Sequence, residues 1–332
     1  METHFSTNKL QQKQLDYAKY KLFELEISRI SNLSKKYRDQ LITLGYQLLS
    51  ITPIKFLISS DGNTIKALIE RNSDKLRFET VLMKFNDGRN SVCLSCMVGC
   101  PLGCSFCATG KMGFKANLTS NEISDQVVMW GNYLRKANEK ISNIVFMGMG
   151  EPLLNLDNVI GSIHLISDKN YMGFSQERIT ISTSGLISGL KKLVSSKYTG
   201  NLALSLHSPF QKERESIMQV AATNDLESIM EQIKQYSLSR NKRITLEYIL
   251  LDGINDSIRH TEALKTLLSG INCLVNIIPY NPIPNSDYIR PSRNKIFKFY
   301  NNLKKLGINT TLRVSMGDSI SSSCGQLAIK YE

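Results

Sequence analysis

The chain has 332 residues, of which 42% are hydrophobic and 21% charged, a composition typical of a globular protein with a large core. It contains no apolar stretch behind a basic start and no run as long as a membrane span, which favours a cytoplasmic protein with no membrane partner. Lysine and arginine total 41 against 29 acidic residues, and the resulting net charge of +12 favours a polyanionic partner such as nucleic acid. Five of the seven cysteines crowd between Cys93 and Cys107, unlike the spread cysteines of a secreted disulfide scaffold.

The first part of the chain differs in pattern from the rest. Apolar residues at helical spacing predict helix between Gln12 and Ser50. Residues between Phe56 and Phe85 predict a small β meander, broken at 61–63 and 72–74. We therefore expect residues 1–88 to form a separate N-terminal module in front of a larger domain that spans residues 89–332.

From residue 91 onward, predicted strands and helices alternate. The strands are short and rich in β-branched residues, as buried parallel strands are. They are Ser91–Cys96, Asn143–Met147, Arg178–Ser182, Leu202–Leu206, Ile244–Leu250, Leu274–Ile278 and Thr311–Val314. The helices cover roughly 119–133, 156–166, 186–195, 226–236, 259–268 and 292–306, and the first opens with the capping-box pattern Thr119–Glu122. The alternation predicts an α/β fold with a parallel sheet, either doubly wound or a full or partial barrel, with active residues at the carboxyl ends of its strands.

The most informative motif follows the first of these strands. Cys100, Cys104 and Cys107 have the spacing Cys-x3-Cys-x2-Cys, which suits three irons of a four-iron cluster because all three thiolates lie on one short loop. The fourth iron then lacks a protein ligand and is open to S-adenosylmethionine (SAM). A zinc site and a disulfide pair are the alternatives, but structural zinc normally takes four ligands and no matching second pair is present.

Small polar residues follow several of the predicted strands. Gly150 and Glu151 follow the second strand, where glycine permits close backbone approach and the carboxylate can pair with an ammonium group. Ser182, Ser205, His207 and Asn281 occupy later strand ends, although each also fits an ordinary loop and His207 fits a structural role equally well. Cys93, Cys96, Cys273 and Cys324, taken alone, are typical of buried small hydrophobic residues.

Taken in order, these segments resemble the radical-SAM methyltransferases that modify an adenine of large-subunit ribosomal RNA, namely the RlmN family and its relative Cfr. The resemblance covers Phe78 to Leu327 and rests on four motifs. These are the segment Cys100–Cys107, called the cysteine loop below, followed by Ala-Thr-Gly, then Met-Gly-Met-Gly-Glu-Pro at 147–152, Ser-Leu-His at 205–207, and Cys-Gly-Gln-Leu at 324–327. Gly-Glu-Pro and the Pro-Tyr-Asn-Pro segment at 279–282 are typical of RlmN rather than Cfr, and favour carbon 2 over carbon 8 of the adenine as the methylated position.

The resemblance implies a partial parallel (β/α)6 radical-SAM barrel with a small helical and β accessory module that contacts RNA. It implies a [4Fe-4S] cluster on Cys100, Cys104 and Cys107, and two SAM molecules per turnover. One SAM methylates Cys324, and the other yields a 5′-deoxyadenosyl radical that takes a hydrogen from that methyl group before it joins the adenine. Cys93 then forms a disulfide with Cys324 to release the product, and Glu79 matches the acid/base carboxylate. The implied SAM contacts are Gly150, Glu151, Ser182, Ser205, Leu206, His207 and Asn281.

The expected partners are 23S rRNA, also transfer RNA in typical members, and an electron donor such as flavodoxin or ferredoxin, and the protein is expected to be a monomer. Candidate phosphate contacts are Lys111, Lys115, Lys191, Lys192, Arg240, Lys242, Arg243, Lys304 and Lys305. Two other functions stay open at this point: a non-catalytic RNA-binding protein clipped by a metal, and a radical-SAM enzyme with another substrate. The chain also departs from the family pattern, because Cys96 and Met97 stand where serine and glutamine are usual and Ser321–Ser323 replace an acidic and small apolar segment.

Overall fold

The computed structural model describes residues 8–313 and 316–328. Ten strands form one mixed sheet, and β5 pairs with β6 in a separate two-stranded sheet. The strands are β1 Ile51–Ile58, β2 Thr64–Arg71, β3 Arg77–Lys84, β4 Asn90–Cys93, β5 Met97–Gly99, β6 Phe114–Asn117, β7 Asn143–Phe146, β8 Ile179–Thr183, β9 Asn201–Ser205, β10 Ile244–Leu250, β11 Cys273–Pro279 and β12 Thr310–Leu312. The order across the large sheet is β1-β2-β3-β4-β7-β8-β9-β10-β11-β12.

In the large sheet, the neighbouring strands in the run β4-β7-β8-β9-β10-β11-β12 are all parallel. The neighbours in the run β1-β2-β3-β4 are all antiparallel. The predicted α/β fold with a parallel sheet is therefore confirmed. The first predicted strand is wrong at its end, because the chain leaves the sheet after Cys93 to begin β5 at Met97. The bond from Cys96 N to Met149 O (2.9 Å) directs it toward the loop that follows β7. Val314, predicted as the end of the last strand, lies outside the described residues.

Helices connect the parallel strands, as the alternation predicted. In chain order the α-helices are α1 Lys9–Asp16, α2 Lys35–Thr43, α3 Ala108–Lys111, α4 Ser120–Arg135, α5 Leu156–Ser167, α6 Ile187–Ser195, α7 Gln211–Ile217, α8 Leu226–Arg240, α9 Ile258–Leu267 and α10 Arg293–Lys305. The predicted capping box is present, since Thr119 Oγ1 accepts from Glu122 N (3.2 Å) and Glu122 Oε2 accepts from Thr119 N (2.8 Å). No helix in residues 8–313 or 316–328 is long and apolar enough to cross a membrane.

The helical prediction for the first fifty residues was too broad. After α1 the chain forms a five-residue π-helix at Tyr17–Lys21, and Phe23 then takes a positive φ of 49°, which ends helical propagation. A 3-10 turn follows at Ile27–Arg29, and α-helix resumes at α2, where Ser34 Oγ accepts from Tyr37 N (3.3 Å). These segments pack around a small core of their own: Leu15, Ala18, Ile27, Ile30, Leu33, Tyr37 and Leu41.

The predicted β meander is confirmed as β1–β3, with turns near the expected breaks. These three strands continue the large sheet, and Ile65, Ile69, Phe78 and Leu82 pack in the same main core as the parallel strands. The division of the chain at residue 88 stays a prediction.

Candidate active site

The large sheet curls around a cavity of about 840 Å³. Its walls come from strands far apart in the sheet order, with Val81 on β3 and Thr311 on β12 among the lining residues. The segment 316–328, called the thiol loop below, lines the same cavity. Cys93, Cys107 and Cys324 all line it, so the fold brings together cysteines from β4, the cysteine loop and the thiol loop.

Strand register identifies which side chains share the inner face of the sheet, because directly opposed residues point to the same side. Val81 pairs with Cys93, and Cys93 pairs with Val145; all three line the cavity. Glu79 lies two residues before Val81 on β3 and therefore faces the same side, as does Lys66, which pairs with Val81 from β2. On the other wall, Ser205 pairs with Glu247, and Glu247 pairs with the cavity-lining Asn276.

Glu79 and Lys66 form a buried ion pair on this face. Lys66 Nζ lies 2.9 Å from Glu79 Oε1, and the two side chains are 2% and 0% exposed. The same Nζ donates to the carbonyl of Ser321 in the thiol loop (3.2 Å). The lysine thus links the predicted acid/base carboxylate to the loop that carries Cys324.

The cysteine loop between β5 and β6 is positioned by its own backbone. Cys100 N donates to Gly113 O (3.0 Å) and Cys107 N to Cys104 O (3.1 Å). Gly99 has a φ of +75°, and a Cβ there would lie 1.8 Å from Gly113 O, so only glycine fits this crossing. Cys100, Cys104 and Cys107 are half-buried free thiols. Burial raises the pKa of Cys100 to about 12, and burial with the charges of the other two thiolates raises the pKa of Cys104.

Glu151 joins two strand ends. Its Oε1 accepts from Leu153 N (3.0 Å) and Thr183 Oγ1 (2.7 Å), and its Oε2 accepts from Ser184 N and Oγ (both 2.9 Å). Burial raises the pKa of this carboxyl despite these donors. Its charge adds to the burial that raises the pKa values of Cys100 and Cys104. Gly150 directly before it has a φ of +101°, which glycine adopts without strain.

Ser182, Ser205, Leu206 and His207 lie at the neighbouring ends of β8 and β9. The register places both serines on the inner face. His207 is committed to the fold: its Nδ1 accepts from Ile249 N (3.1 Å), and its ring stacks edge-to-face on Phe106 of the cysteine loop at 4.9 Å. Burial and the charge of Arg214 lower the pKa of His207 to about 3, so the imidazole is neutral at neutral pH.

The thiol loop is anchored to the rest of the site by hydrogen bonds to its carbonyl groups. Asn281 Nδ2 donates to Cys324 O (3.2 Å), Ala108 N to Gly325 O (2.7 Å) and Thr109 Oγ1 to Leu327 O (2.6 Å). Arg313, directly after β12, points Nη1 at Cys324 Sγ (3.8 Å). The Cys324 charge is the largest cause of the raised pKa of Arg313.

All seven cysteines are free thiols, so the disulfide implied between Cys93 and Cys324 is absent. The two side chains nevertheless influence each other, because burial and then the charge of Cys324 raise the pKa of Cys93 to about 12. A thiol held protonated in this way does not attack a partner until it loses its proton. Cys96 and Cys273 are buried, as the sequence predicted.

Comparison with known proteins then identifies the family. The family model described as "Radical SAM superfamily" matches residues 94–264. Ribosomal RNA large subunit methyltransferase N of Nitrosopumilus maritimus is 39% identical over 93% of this chain and 89% of the relative. A probable dual-specificity RNA methyltransferase RlmN of Staphylococcus aureus is 39% identical over 92% of this chain and 82% of the relative. The crystal structure of a radical SAM methyltransferase from Sphaerobacter thermophilus superposes with a TM-score of 0.90 at 38% identity, covering 96% of this chain and 92% of that one.

The chain belongs to the RlmN family of radical SAM methyltransferases. As an RlmN-type enzyme it uses a [4Fe-4S] cluster and SAM. The fit of the cysteine loop to that cluster can be judged from its donors. No three Cys, His, Asp or Glu side chains in the described ranges converge closely enough for a single metal ion. A four-iron cluster has a different requirement, because each thiolate binds its own iron. Three free thiols with the spacing Cys-x3-Cys-x2-Cys on one half-buried loop meet it.

Several residues of this RlmN-type site were not found from the sequence. Arg313 could have been, because it follows directly on a parallel strand. Lys66 and Arg214 carry no motif, and only their burial reveals them. One expected phosphate contact is wrong: Arg240 donates to the carbonyls of Val194, Ser196 and Tyr198, so its charge is committed to the fold.

Proposed function

We propose that this protein methylates carbon 2 of an adenine in 23S rRNA through a methyl group carried on Cys324. The observation that carries the proposal is the shared cavity, which Cys324, Cys93 and Cys107 all line. A ring carbon of adenine is electron-poor and does not attack SAM directly, so a separate carrier and radical chemistry are needed. A thiol beside the cluster loop supplies the carrier.

Cys100, Cys104 and Cys107 would hold the cluster, and the ends of β7, β8, β9 and β11 would hold SAM through Gly150, Glu151, Ser182, Ser205, Leu206, His207 and Asn281. When bound, these cofactors supply a methyl group to a thiol and, with a second SAM, a 5′-deoxyadenosyl radical that can remove a hydrogen atom from it. The protein's contribution is orientation and exclusion of water. Cys324 Sγ, which would accept the methyl group, is held 3.8 Å from Arg313 Nη1.

Cys93 would release the product. The radical adduct of the carrier carbon and adenine would first lose one electron, which an oxidised iron–sulfur centre could accept, and one proton from the ring. The Cys93 thiolate then attacks the Cys324 sulfur, the sulfur–carbon bond breaks, and a transient disulfide forms between the two cysteines. The electron pair of the broken bond stays with the RNA carbon, which takes a proton to become the methyl group. A thiol reductant would then return the disulfide to two thiols, the form in which both cysteines are found here and from which each turnover would start.

Glu79 would take the proton that adenine loses. Lys66 Nζ lies 2.9 Å from Glu79 Oε1 and orients the carboxylate on this face. The family resemblance assigns this acid/base role to Glu79, and its position on the same sheet face as Cys93 supports that assignment.

The relatives' names support an RNA substrate. One relative is named as a large-subunit rRNA methyltransferase and another as a probable dual-specificity RNA methyltransferase, and transfer RNA is our candidate for the second substrate. A net charge of +12 suits such a partner, and the target base would leave its stack to reach the cavity. We expect a cytoplasmic monomer that takes electrons from flavodoxin or ferredoxin.

Anaerobic reconstitution with iron and sulfide, followed by SAM and reductant, tests the proposal. We expect 2-methyladenine in 23S rRNA by mass spectrometry of the digested RNA, and a methyl group on the peptide that contains Cys324. Methylation at carbon 8 would refute the assigned position, and an unmodified Cys324 in an active enzyme would refute the carrier.

Replacing the releasing thiol gives a sharper test. C93A should form the RNA–protein bond but fail to break it, so a covalent complex should accumulate on a denaturing gel. Free methylated RNA at the wild-type rate from C93A would contradict the role of Cys93.

A further inference from the structure

We infer that Arg214 on α7 binds an anion at the cluster–SAM site through its free Nη1 group. The side chain is fully buried, at 0% exposure. Its Nε donates to Leu206 O (3.0 Å), and its Nη2 to Ser184 O (3.0 Å) and Ser205 O (3.4 Å). Nη1 is buried and, among the described residues, has no hydrogen-bond partner. The two N–H groups of Arg214 Nη1 therefore have no acceptor.

The charge of Arg214 is also uncompensated. No ion pair within residues 8–313 and 316–328 includes it, and its three acceptors are neutral carbonyls. The adjacent Glu213 is engaged elsewhere, with His260 Nε2 (2.8 Å) and Ser208 Oγ (2.7 Å). Burial lowers the pKa of Arg214 to about 10, so it is still charged at neutral pH. A buried unpaired cation costs several kcal/mol, which an anion bound at this position would offset.

Its surroundings identify the kind of anion. The carbonyls that Arg214 holds belong to the ends of β8 and β9, where SAM is expected to bind. On the other side, α7 contacts the cysteine loop, because Ser105 N donates to Ile217 O (3.1 Å) and the Cys104 charge acts on Arg214. Two anions would lie near this position: the carboxylate of SAM, and the cluster, which is negative overall with three thiolates. His207 beside Arg214 is neutral and supplies no competing cation.

The SAM carboxylate is tested with a ligand that lacks it. Binding of SAM and of decarboxylated SAM is measured by calorimetry on the reconstituted wild type and on R214M, without RNA. If Arg214 binds the carboxylate, R214M should weaken SAM binding by about ten- to a hundredfold and leave decarboxylated SAM nearly unchanged. A purely structural arginine would weaken both ligands equally.

The cluster is tested by its reduction potential, measured by an EPR-monitored titration without SAM. If Nη1 acts on the cluster, R214M should shift the ratio of reduced to oxidised cluster about tenfold toward the oxidised form, a fall of about 59 mV for one electron. R214K keeps the positive charge and should stay near the wild-type potential.

Either shift supports the inference and names the anion. The inference is overturned if loaded R214M has the wild-type potential and the wild-type preference for SAM over decarboxylated SAM. If R214M does not retain iron, R214K decides: equal weakening of both ligands at an unchanged potential refutes an anion-binding role. These measurements need no RNA, so they are independent of the proposed substrate.

Discussion

The cysteine loop and the thiol loop meet at one cavity, but they are held in different ways. The cysteine loop is flanked by its own strand pair, β5 and β6, and the backbone bonds of Cys100 and Cys107 stay within that unit, although Ser105 N also donates to the distant Ile217 O. The thiol loop contains only a single turn of 3-10 helix, and its carbonyls accept from distant residues such as Lys66, Thr109 and Asn281. The cluster ligands are thus preorganised locally, whereas the position of Cys324 depends on the rest of the molecule.

The largest expected effect is a loss of RNA methylation on removing the Cys324 thiol from the thiol loop, with the cysteine loop left intact. C324A should reduce RNA methylation by about 10³-fold or more, because the carrier of the methyl group is gone, while the iron content stays at the wild-type level. The matched control is C273A, which removes a buried cysteine from β11. Methylated RNA counted by mass spectrometry, with iron assayed on the same preparations, decides between them. Comparable methylation activity in C324A and C273A would contradict the role of Cys324 as the methyl carrier.

A backbone change should break the cysteine loop first. In G99A the new Cβ would lie 1.8 Å from Gly113 O, so β5 and β6 must separate. We expect the free energy of unfolding to fall by about 4 kcal/mol, with loss of bound iron. G62A is the control, because Gly62 has a similar φ of +72° but nothing within 4 Å of its Cβ, and should cost only about 1 kcal/mol. Urea unfolding measures the free energy of unfolding of both variants. Equal losses in G99A and G62A would show that the positive φ, and not the close contact with Gly113 O, makes Gly99 necessary.

The buried ion pair Lys66–Glu79 tests how far the thiol loop depends on residues distant in sequence. K66M leaves the Glu79 carboxylate without its close cation and removes the bond to Ser321 O, and should cost about 3 kcal/mol in urea unfolding. Most of that loss should return in K66M/E79Q, which replaces the pair by neutral side chains. The exposed pair Lys212–Glu215 is the control, and K212M should cost under about 0.5 kcal/mol. Loss of bound iron in K66M while RNA methylation persists would contradict the claim that Lys66 supports the thiol loop and not the cysteine loop.

The smallest expected effect lies on a contact between the two regions. T109V keeps the shape of the side chain but removes the buried 2.6 Å bond from Thr109 Oγ1 to Leu327 O, and should cost about 1 kcal/mol. T43V is the control, because Thr43 makes an exposed bond within its own helix. A thermal melt of both variants tests this, and a larger loss in T43V would be contrary to expectation.

The accuracy of the sequence predictions follows the same local-versus-distant division. The parallel strands and the Thr119 capping box were predictable, because short β-branched runs and capping residues act within a few positions. The extent of helix before residue 51 was not, since the positive φ of Phe23 accompanies tertiary contacts: Asn132 Nδ2 on α4 donates to Phe23 O (2.7 Å). Lys66 and Arg214 could not be predicted as site residues because most lysine and arginine side chains are exposed to solvent. Only the structure shows that these two are buried.

The bond between Lys66 and Ser321 joins residues 255 positions apart. β2 is synthesised long before the thiol loop, so the Lys66–Ser321 bond can form only after most of the parallel strands have been made. A nascent chain that ends before residue 316 could already present its three loop thiols to iron, yet it would lack the sulfur that receives the methyl group. Methyl transfer therefore has to wait until the segment that carries Cys324 has been synthesised.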